Sequence, residues 1–286
     1  MKDLSTDLFN CLNRRTFLKA AGGAALVLSC GLTPCSCSRK KGELAEEELN
    51  YYTNQDEKLT EEFNKAALMQ KELLLSDFGE SRVNKWTVAA RDEFKSLIPR
   101  LPYIGGDENS MTRFLVISAI LMPWVKVLRE NEVPMRRNGR MIYDMANEYY
   151  DRIPAPIRWY LGWSNFWESR KEKTRAAAEL SGLRRYPDDW VYEFVEGDGE
   201  GFEYGIDMTE CGLVKFWGSQ GLGEFVPYLC LTDWAFWKAV GIRAARTQTI
   251  ANGGDRCDFR YVGRGEVGRS GWPPESNPEW TGIYEA

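Results

Sequence analysis

Apolar residues recur at helical intervals through the first part of the chain. Leu59, Phe63 and Ala67 follow one another at a spacing of four, which predicts an amphipathic helix. A second helix is predicted over residues 80–98, ending before a proline. Residues 111–128 are apolar on nearly every side, and this predicts a helix buried in the centre of the domain.

Tryptophans form a stripe in the next part of the chain. A helix is predicted over residues 138–150, and two prolines then interrupt the pattern. Trp159, Trp163 and Trp167 follow at a spacing of four, on a helix predicted to continue to about Leu183. Such a stripe is typical of a core contact or a docking seam, and less often of a ligand cage.

The pattern changes to alternation after residue 187. The predicted elements are strands over residues 190–196, 202–208, 244–251 and 256–262 and helices over residues 213–219 and 227–240. The last two strands flank Asn252-Gly253-Gly254-Asp255, which is typical of a hairpin turn. The sequence therefore predicts an α+β fold, with a helical N-terminal half followed by a small antiparallel sheet with crossing helices.

The N-terminus carries the pattern of a twin-arginine export signal. Arg14 and Arg15 precede Thr16 and then Phe-Leu-Lys, and the apolar run over residues 20–29 is too short and weakly hydrophobic for a permanent membrane span. Cys30 follows Val-Leu-Ser, as in a lipobox, so its lipidation is the alternative to simple cleavage. We therefore expect the twin-arginine machinery to export the protein across the bacterial cytoplasmic membrane. The expected product is periplasmic, or a lipoprotein whose lipid anchors it to the membrane.

Composition divides the chain into four segments. Residues 1–37 form the signal, residues 38–56 a charged linker, residues 57–262 an α+β domain, and residues 263–286 a Gly/Pro-rich tail. The chain has 43% hydrophobic residues and a net charge of -5, so it can bury a core. Since no cluster of lysine and arginine residues stands out outside the signal region, a nucleic-acid partner is not expected.

Histidine is absent from the chain, and this limits the catalytic mechanisms and metal sites that are possible. The absence excludes Ser-His-Asp and Cys-His catalysis and every metal site that needs imidazole. Catalysis must therefore come from Cys, Asp, Glu, Lys, Arg or Tyr, or from a bound group.

The predicted domain contains Cys211, Cys230 and Cys257, three of the seven cysteines. An odd number excludes a full disulfide framework. Cys230 and Asp233 are three residues apart on a predicted helix and hence share a face. We expect these residues and Arg246 to converge where the sheet meets its helix. The alternative is that each cysteine is simply a small buried apolar residue.

Four short segments around these residues have a distinctive order and spacing. They are Thr209-Glu210-Cys211, Cys230-Leu231-Thr232-Asp233, Arg246-Thr247-Gln248-Thr249 and Gly253-Gly254-Asp255-Arg256-Cys257-Asp258-Phe259-Arg260. Together they resemble the L-2-amino-thiazoline-4-carboxylic acid hydrolase family, closely over residues 200–262 and only in general character over the helical half. The resemblance implies a hydrolase acting on carbon-nitrogen bonds other than peptide bonds. It would open a cyclic amidine-type ring on the route from the thiazoline acid through N-carbamoyl-cysteine to cysteine. That metabolic activity suits the cytoplasm, so the export signal puts the substrate in question.

The resemblance and the spacing together give a candidate site for a small-molecule substrate. The candidate catalytic residues are Cys257, Cys230, Asp233 and Cys211, and the candidate substrate-binding residues are Arg246, Thr249 and Asp258. We expect the thiolate of Cys257 or Cys230 to attack the ring carbon between nitrogen and sulfur, while Asp233 moves a proton. Arg246 would either lower the pKa of the thiol or bind the substrate carboxylate.

Two other interpretations stay open. No cofactor is expected, but Cys211, Cys230, Cys257 and Asp233 make an alternative tetrahedral zinc set, although the domain contains no Cys-x-x-Cys pair. The hairpin is also similar to small-molecule-binding domains of the vinyl-reductase-like type. In that case the protein is a non-catalytic binding lipoprotein whose cysteines and tryptophans are pocket walls.

Overall fold

A computed structural model describes residues 46–266 of the chain. The helices are α1 (Asp56–Phe78), α2 (Glu80–Leu97), α3 (Thr112–Glu130), α4 (Met135–Asp151), α5 (Ala155–Ser164), α6 (Glu168–Gly182), α7 (Gly212–Ser219) and α8 (Val226–Val240). The strands are β1 (Val191–Glu196), β2 (Tyr204–Glu210), β3 (Ile242–Ala245) and β4 (Cys257–Arg264). The predicted α+β class is confirmed. The predicted signal with Cys30, the first part of the predicted linker and residues 267–286 of the predicted tail lie outside the described residues.

Helix α3 lies at the centre of the helical part, as predicted. It packs against α1, α2 and α4, and the side chains of Leu115 and Trp124 are completely buried. On α1 the predicted stripe is buried as well, and Phe63 stacks on Phe94 of α2 at 4.8 Å between ring centroids. Burying such rings is the main source of stability for these helices.

Helices α4 and α8 cross at Gly139. A Cβ atom added at Gly139 would lie 2.4 Å from the ring of Tyr228, so the crossing requires a residue without a side chain. The neighbouring Asn138 donates from Nδ2 to the carbonyl oxygen of Val125 at 2.9 Å and thereby joins α4 to α3. The crossing at Gly139 and the bond from Asn138 together fix the position of α8 against the helical part.

Replacing Gly139 with alanine is expected to lower the free energy of unfolding by about 1–3 kcal/mol, because the methyl group overpacks the α4–α8 contact. Gly182, at the end of α6, is the matched control because a Cβ atom there meets nothing within 4 Å. Its replacement with alanine is expected to change stability by less than about 1 kcal/mol. Urea unfolding of both variants measures the difference, and equal stabilities would contradict the close crossing.

The four strands form one antiparallel sheet in the order β1-β2-β4-β3. Tyr204 of β2 pairs with Tyr261 of β4, and Met208 pairs with Cys257. The strand predicted over residues 244–251 is present, but its bounds were wrong, because β3 begins at Ile242 and ends at Ala245. The backbone amides that follow donate instead to a side chain of β4, so the chain leaves the ladder where the candidate site begins.

The tryptophan stripe lies on the surface, so of the predicted alternatives the core contact was wrong and the docking seam stays a prediction. Trp159 is 59% exposed, and Trp163 and Trp167 are each 47% exposed. The predicted long helix is in fact two helices, α5 and α6. The buried side of α5 is at Gly162, where a Cβ atom would lie 2.1 Å from the carbonyl oxygen of Val240. The tightest contact of α5 therefore uses a glycine and leaves the tryptophans outside.

Candidate functional site

Helix α8 presents Cys230 and Asp233 on one face. The helix has Pro227 in its first turn, where the fixed φ of proline suits the helix. It is capped by Gly241, whose φ of 68° is in the left-handed region that favours glycine. Between these ends the three-residue spacing brings Cys230 and Asp233 together. Arg246 approaches them from the segment that follows β3.

Arg246 joins the loop to both residues. Its side chain is only 1% exposed. Nη1 of Arg246 donates to Oδ2 of Asp233 at 2.6 Å, and Nη2 donates to the carbonyl oxygen of Cys230 at 2.9 Å. A charge-assisted bond of this length is among the stronger contacts of a protein interior.

Aromatic rings enclose the guanidinium of Arg246. Its central carbon lies 5.2 Å from the ring centre of Phe259, 5.7 Å from that of Trp234 and 5.9 Å from that of Trp237. These distances are within the range of cation–π attraction. The cation is thus held among α8, β4 and its own loop, and it faces Asp233 rather than bulk solvent.

Asp233 is surrounded by protein yet accessible. Its side chain keeps 40% of its surface accessible. Burial raises the pKa of Asp233 above its ordinary value, and the charge and hydrogen bonds of Arg246 lower it by less. Burial also raises the pKa of Tyr150 and of Tyr261, and the negative charge of Asp233 adds to both shifts. Tyr150 and Tyr261 therefore lie near the carboxylate of Asp233.

The three cysteines differ in exposure. Cys230 is half-buried, whereas Cys211 and Cys257 are buried, and none of the three forms a disulfide. Burial raises the pKa of each thiol, to about 11 for Cys257 and well above the ordinary value for Cys230. For Cys230 the largest opposing effect is the positive charge of Arg246. All three are therefore thiols near neutral pH, and a nucleophilic cysteine here needs a base to accept its proton.

Backbone amides also approach two of the thiols. The amide of Ile250 donates to Sγ of Cys257 at 3.3 Å. Cys211 is the residue before α7, and the amides of Leu213 and Val214 favour its thiolate. These contacts occupy the sulfur atoms of the two buried cysteines and leave Cys230 as the accessible thiol.

The electrostatic effect of Cys211, Asp233 and Cys257 on Cys230 places these side chains in one region. No three or more Cys, Asp or Glu residues between 46 and 266 form a group that could hold a metal ion.

The loop between β3 and β4 contains the other two candidate residues. Asp258 accepts from the amides of Thr247 at 2.8 Å and Gln248 at 2.9 Å, and also from the hydroxyl of Thr247. Thr249 is completely buried, and its hydroxyl has no hydrogen-bond partner among the described residues. The geometry thus makes Asp258 an organiser of the loop, while the role of Thr249 in substrate binding stays a prediction.

Tyr150, at the end of α4, was missed by the sequence analysis. It packs against Phe236 of α8 with ring centroids 5.3 Å apart. Tyr261, which lies 6.2 Å from Trp237 between ring centroids, could be placed on the inner face of β4 by strand alternation. No spacing in the sequence connects Tyr150 with the motif some eighty residues later, so only the tertiary structure finds it.

Comparison with protein families gives a match over about half of the chain. The family model described as L-2-amino-thiazoline-4-carboxylic acid hydrolase matches residues 113–261. The match begins in α3 and extends to β4, so it includes helices as well as the sheet and every candidate catalytic residue. No curated protein and no solved structure matches the chain.

Proposed function

The chain belongs to the L-2-amino-thiazoline-4-carboxylic acid hydrolase family, and on this premise we propose that it opens a cyclic amidine-type ring by cysteine-dependent hydrolysis. The family supports a hydrolase role. The observation that carries the finer proposal is the arrangement around Arg246, which binds both the carboxylate of Asp233 and the backbone carbonyl oxygen of Cys230. Cys230 shares a helix face with Asp233 and is the only thiol among the described residues that is not fully buried. The proposed substrate is 2-amino-thiazoline-4-carboxylate or a compound similar to it.

The first step forms a bond between Cys230 and the substrate. Asp233 accepts the thiol proton as the sulfur of Cys230 attacks the ring carbon that carries the amino group. The tetrahedral adduct expels the ring sulfur, which takes the proton from Asp233. The ring is now open, and the carbon remains bound to Cys230 as an isothiourea.

The second step releases the product. Asp233 accepts a proton from water, the water oxygen attacks the same carbon, and Cys230 leaves and recovers its proton. The sum of both steps is the addition of one water molecule, which gives N-carbamoyl-cysteine. Arg246 acts through Asp233 as a positioning residue, and we assign the Thr249 hydroxyl to substrate binding.

The proposed location rests on the sequence pattern alone. The twin-arginine pattern and the lipobox at Cys30 support export and membrane anchoring. The exported protein would then bind its substrate outside the cytoplasmic membrane.

The test is turnover of 2-amino-thiazoline-4-carboxylate by the full chain under reducing conditions, with products identified by mass spectrometry. N-carbamoyl-cysteine is expected, because the proposed step breaks the bond from carbon to the ring sulfur. S-carbamoyl-cysteine would show instead that a carbon-nitrogen bond breaks, as the enzyme class in the sequence analysis implies. Tight binding without turnover would support the non-catalytic interpretation.

The Asp233→Asn variant is expected to lower kcat/KM by about 10²–10⁴-fold, because an amide cannot accept a proton. Since burial raises the pKa of Asp233, the wild-type kcat/KM should fall as the pH drops through a value above the ordinary carboxyl range, where the base becomes protonated. The variant should lack this acid limb. A pH profile of kcat/KM with an unchanged acid limb in Asp233→Asn would contradict the assignment.

A further inference from the structure

An exposed aromatic surface, the tryptophan face, is formed by Trp159 and Trp163 of helix α5 and by Trp167 directly before helix α6. These side chains are 59%, 47% and 47% exposed. Trp159 and Trp163 contact each other with ring centroids 5.7 Å apart, and Trp167 packs edge-on against Tyr160. A cluster of large exposed rings of this kind marks an interaction surface.

The tryptophan face lies in an almost uncharged part of the chain. Residues 153–167 contain a single charged side chain, Arg158, whose Nη1 lies 3.2 Å from Oδ1 of Asp151. An exposed helix in water ordinarily carries charged residues on its outer face. No helix within residues 46–266 is long and apolar enough to cross a bilayer.

Basic residues follow directly after the tryptophan face. The charged side chains of residues 168–175 are Arg170, Lys171, Lys173 and Arg175 against Glu168 and Glu172. Arg170 and Lys173 are exposed. Lys171 pairs with Glu203 and Arg175 pairs with Glu196, while Arg170 and Lys173 lie beside the exposed Glu168 and Glu172. The positive charge at the tryptophan face itself comes from Arg264, whose guanidinium carbon lies 5.5 Å from the ring centre of Trp163.

We infer that the tryptophan face binds the surface of a bilayer that contains anionic lipids. Tryptophan rings favour the boundary between headgroups and acyl chains, and nearby lysine and arginine side chains are attracted to anionic headgroups. A second copy of the chain fits the surface less well. A symmetric contact would bring the exposed cations of the two copies towards each other. This inference does not rest on the proposed function.

The geometry of α5 suits such a contact. Gly162 packs against the end of α8, while the guanidinium of Arg264 donates to the carbonyl oxygen of Trp159 at 3.1 Å. The helix is therefore fixed to the domain with its rings outward. A lipid attached near the N-terminus would add a second membrane signal, since one weak signal alone gives marginal binding.

The test is hydrogen exchange and co-sedimentation of the full chain with vesicles of phosphatidylcholine alone or mixed equally with phosphatidylglycerol. Amides of residues 155–167 are expected to exchange more slowly with the anionic vesicles, and less so at high salt. This local readout separates the tryptophan face from any binding by the N-terminal segment.

The variant Trp159→Ser/Trp163→Ser is expected to lower partitioning to the anionic vesicles by about tenfold or more. The matched control is Leu68→Ser/Val88→Ser, which removes side chains that are 58% and 56% exposed elsewhere on the helical part. The control should partition like the wild type, and far-ultraviolet circular dichroism checks folding. Unchanged exchange of residues 155–167 on adding vesicles would overturn the inference. Protection that instead follows protein concentration, with a doubled mass, would overturn it in favour of a second copy.

Discussion

Replacing Cys230 with alanine is expected to lower kcat/KM on the order of 10³-fold or more, with little effect on folding. Of the three cysteines between residues 46 and 266, Cys230 is the one that is not fully buried, and it shares a helix face with Asp233. Its raised pKa means that the thiol keeps its proton near neutral pH, so attack requires a base to accept that proton. Steady-state kinetics at neutral pH, with thermal unfolding of the same sample, measures both effects.

The other two cysteines provide matched controls. Cys257→Ala removes the acceptor of the Ile250 amide and should cost about 1 kcal/mol of stability with a loss of activity below about tenfold. Cys211→Ala should behave similarly, because its sulfur is buried against the amides at the start of α7. If Cys257→Ala abolished turnover while Cys230→Ala retained it, Cys257 would be the nucleophile, the other candidate given by the sequence.

Much of the fold follows from local patterns. The buried stripe of α1 and the all-round apolar character of α3 were sufficient to predict both helices, because burial on a helix repeats with its turn. The tryptophan stripe has the same period but lies outside, since periodicity does not tell which face meets the core. The side of α5 that is buried is determined by the contact of Gly162 with Val240, and the spacing of residues in the sequence does not predict this contact.

The sequence predicted which residues of the motif would lie near one another, but it did not predict the hydrogen bonds between them. The spacing of Cys230 and Asp233 places them together on any helix, and the motif order brings Arg246 near. The sequence offered Arg246 as a ligand for substrate or a partner for a thiol, and those roles stay predictions. The structure shows it bonded to Asp233, because the choice of partner depends on how the loop after β3 packs on α8. Tyr150 comes from a distant helix and has no local signature.

Replacing Arg246 with methionine is expected to lower the free energy of unfolding by about 3 kcal/mol, near the lower limit for breaking a buried ion pair. The variant leaves Asp233 without its cation and the Cys230 carbonyl oxygen without its donor. The lower limit applies because the side chain of Asp233 keeps 40% of its surface accessible, so solvent compensates part of its charge. Urea unfolding at neutral pH measures the loss.

The pH dependence of that loss identifies its cause. Without Arg246 the pKa of Asp233 should rise further, because burial remains and the opposing charge is gone. The carboxyl group then becomes neutral at a higher pH, so the destabilisation should be smaller in acid than at neutral pH. The double variant Arg246→Met/Asp233→Asn should recover part of the stability at neutral pH, since it removes the unpaired charge. A loss that is equal at both pH values and in the double variant would mean that Arg246 contributes through packing against Trp234, Trp237 and Phe259 rather than through Asp233.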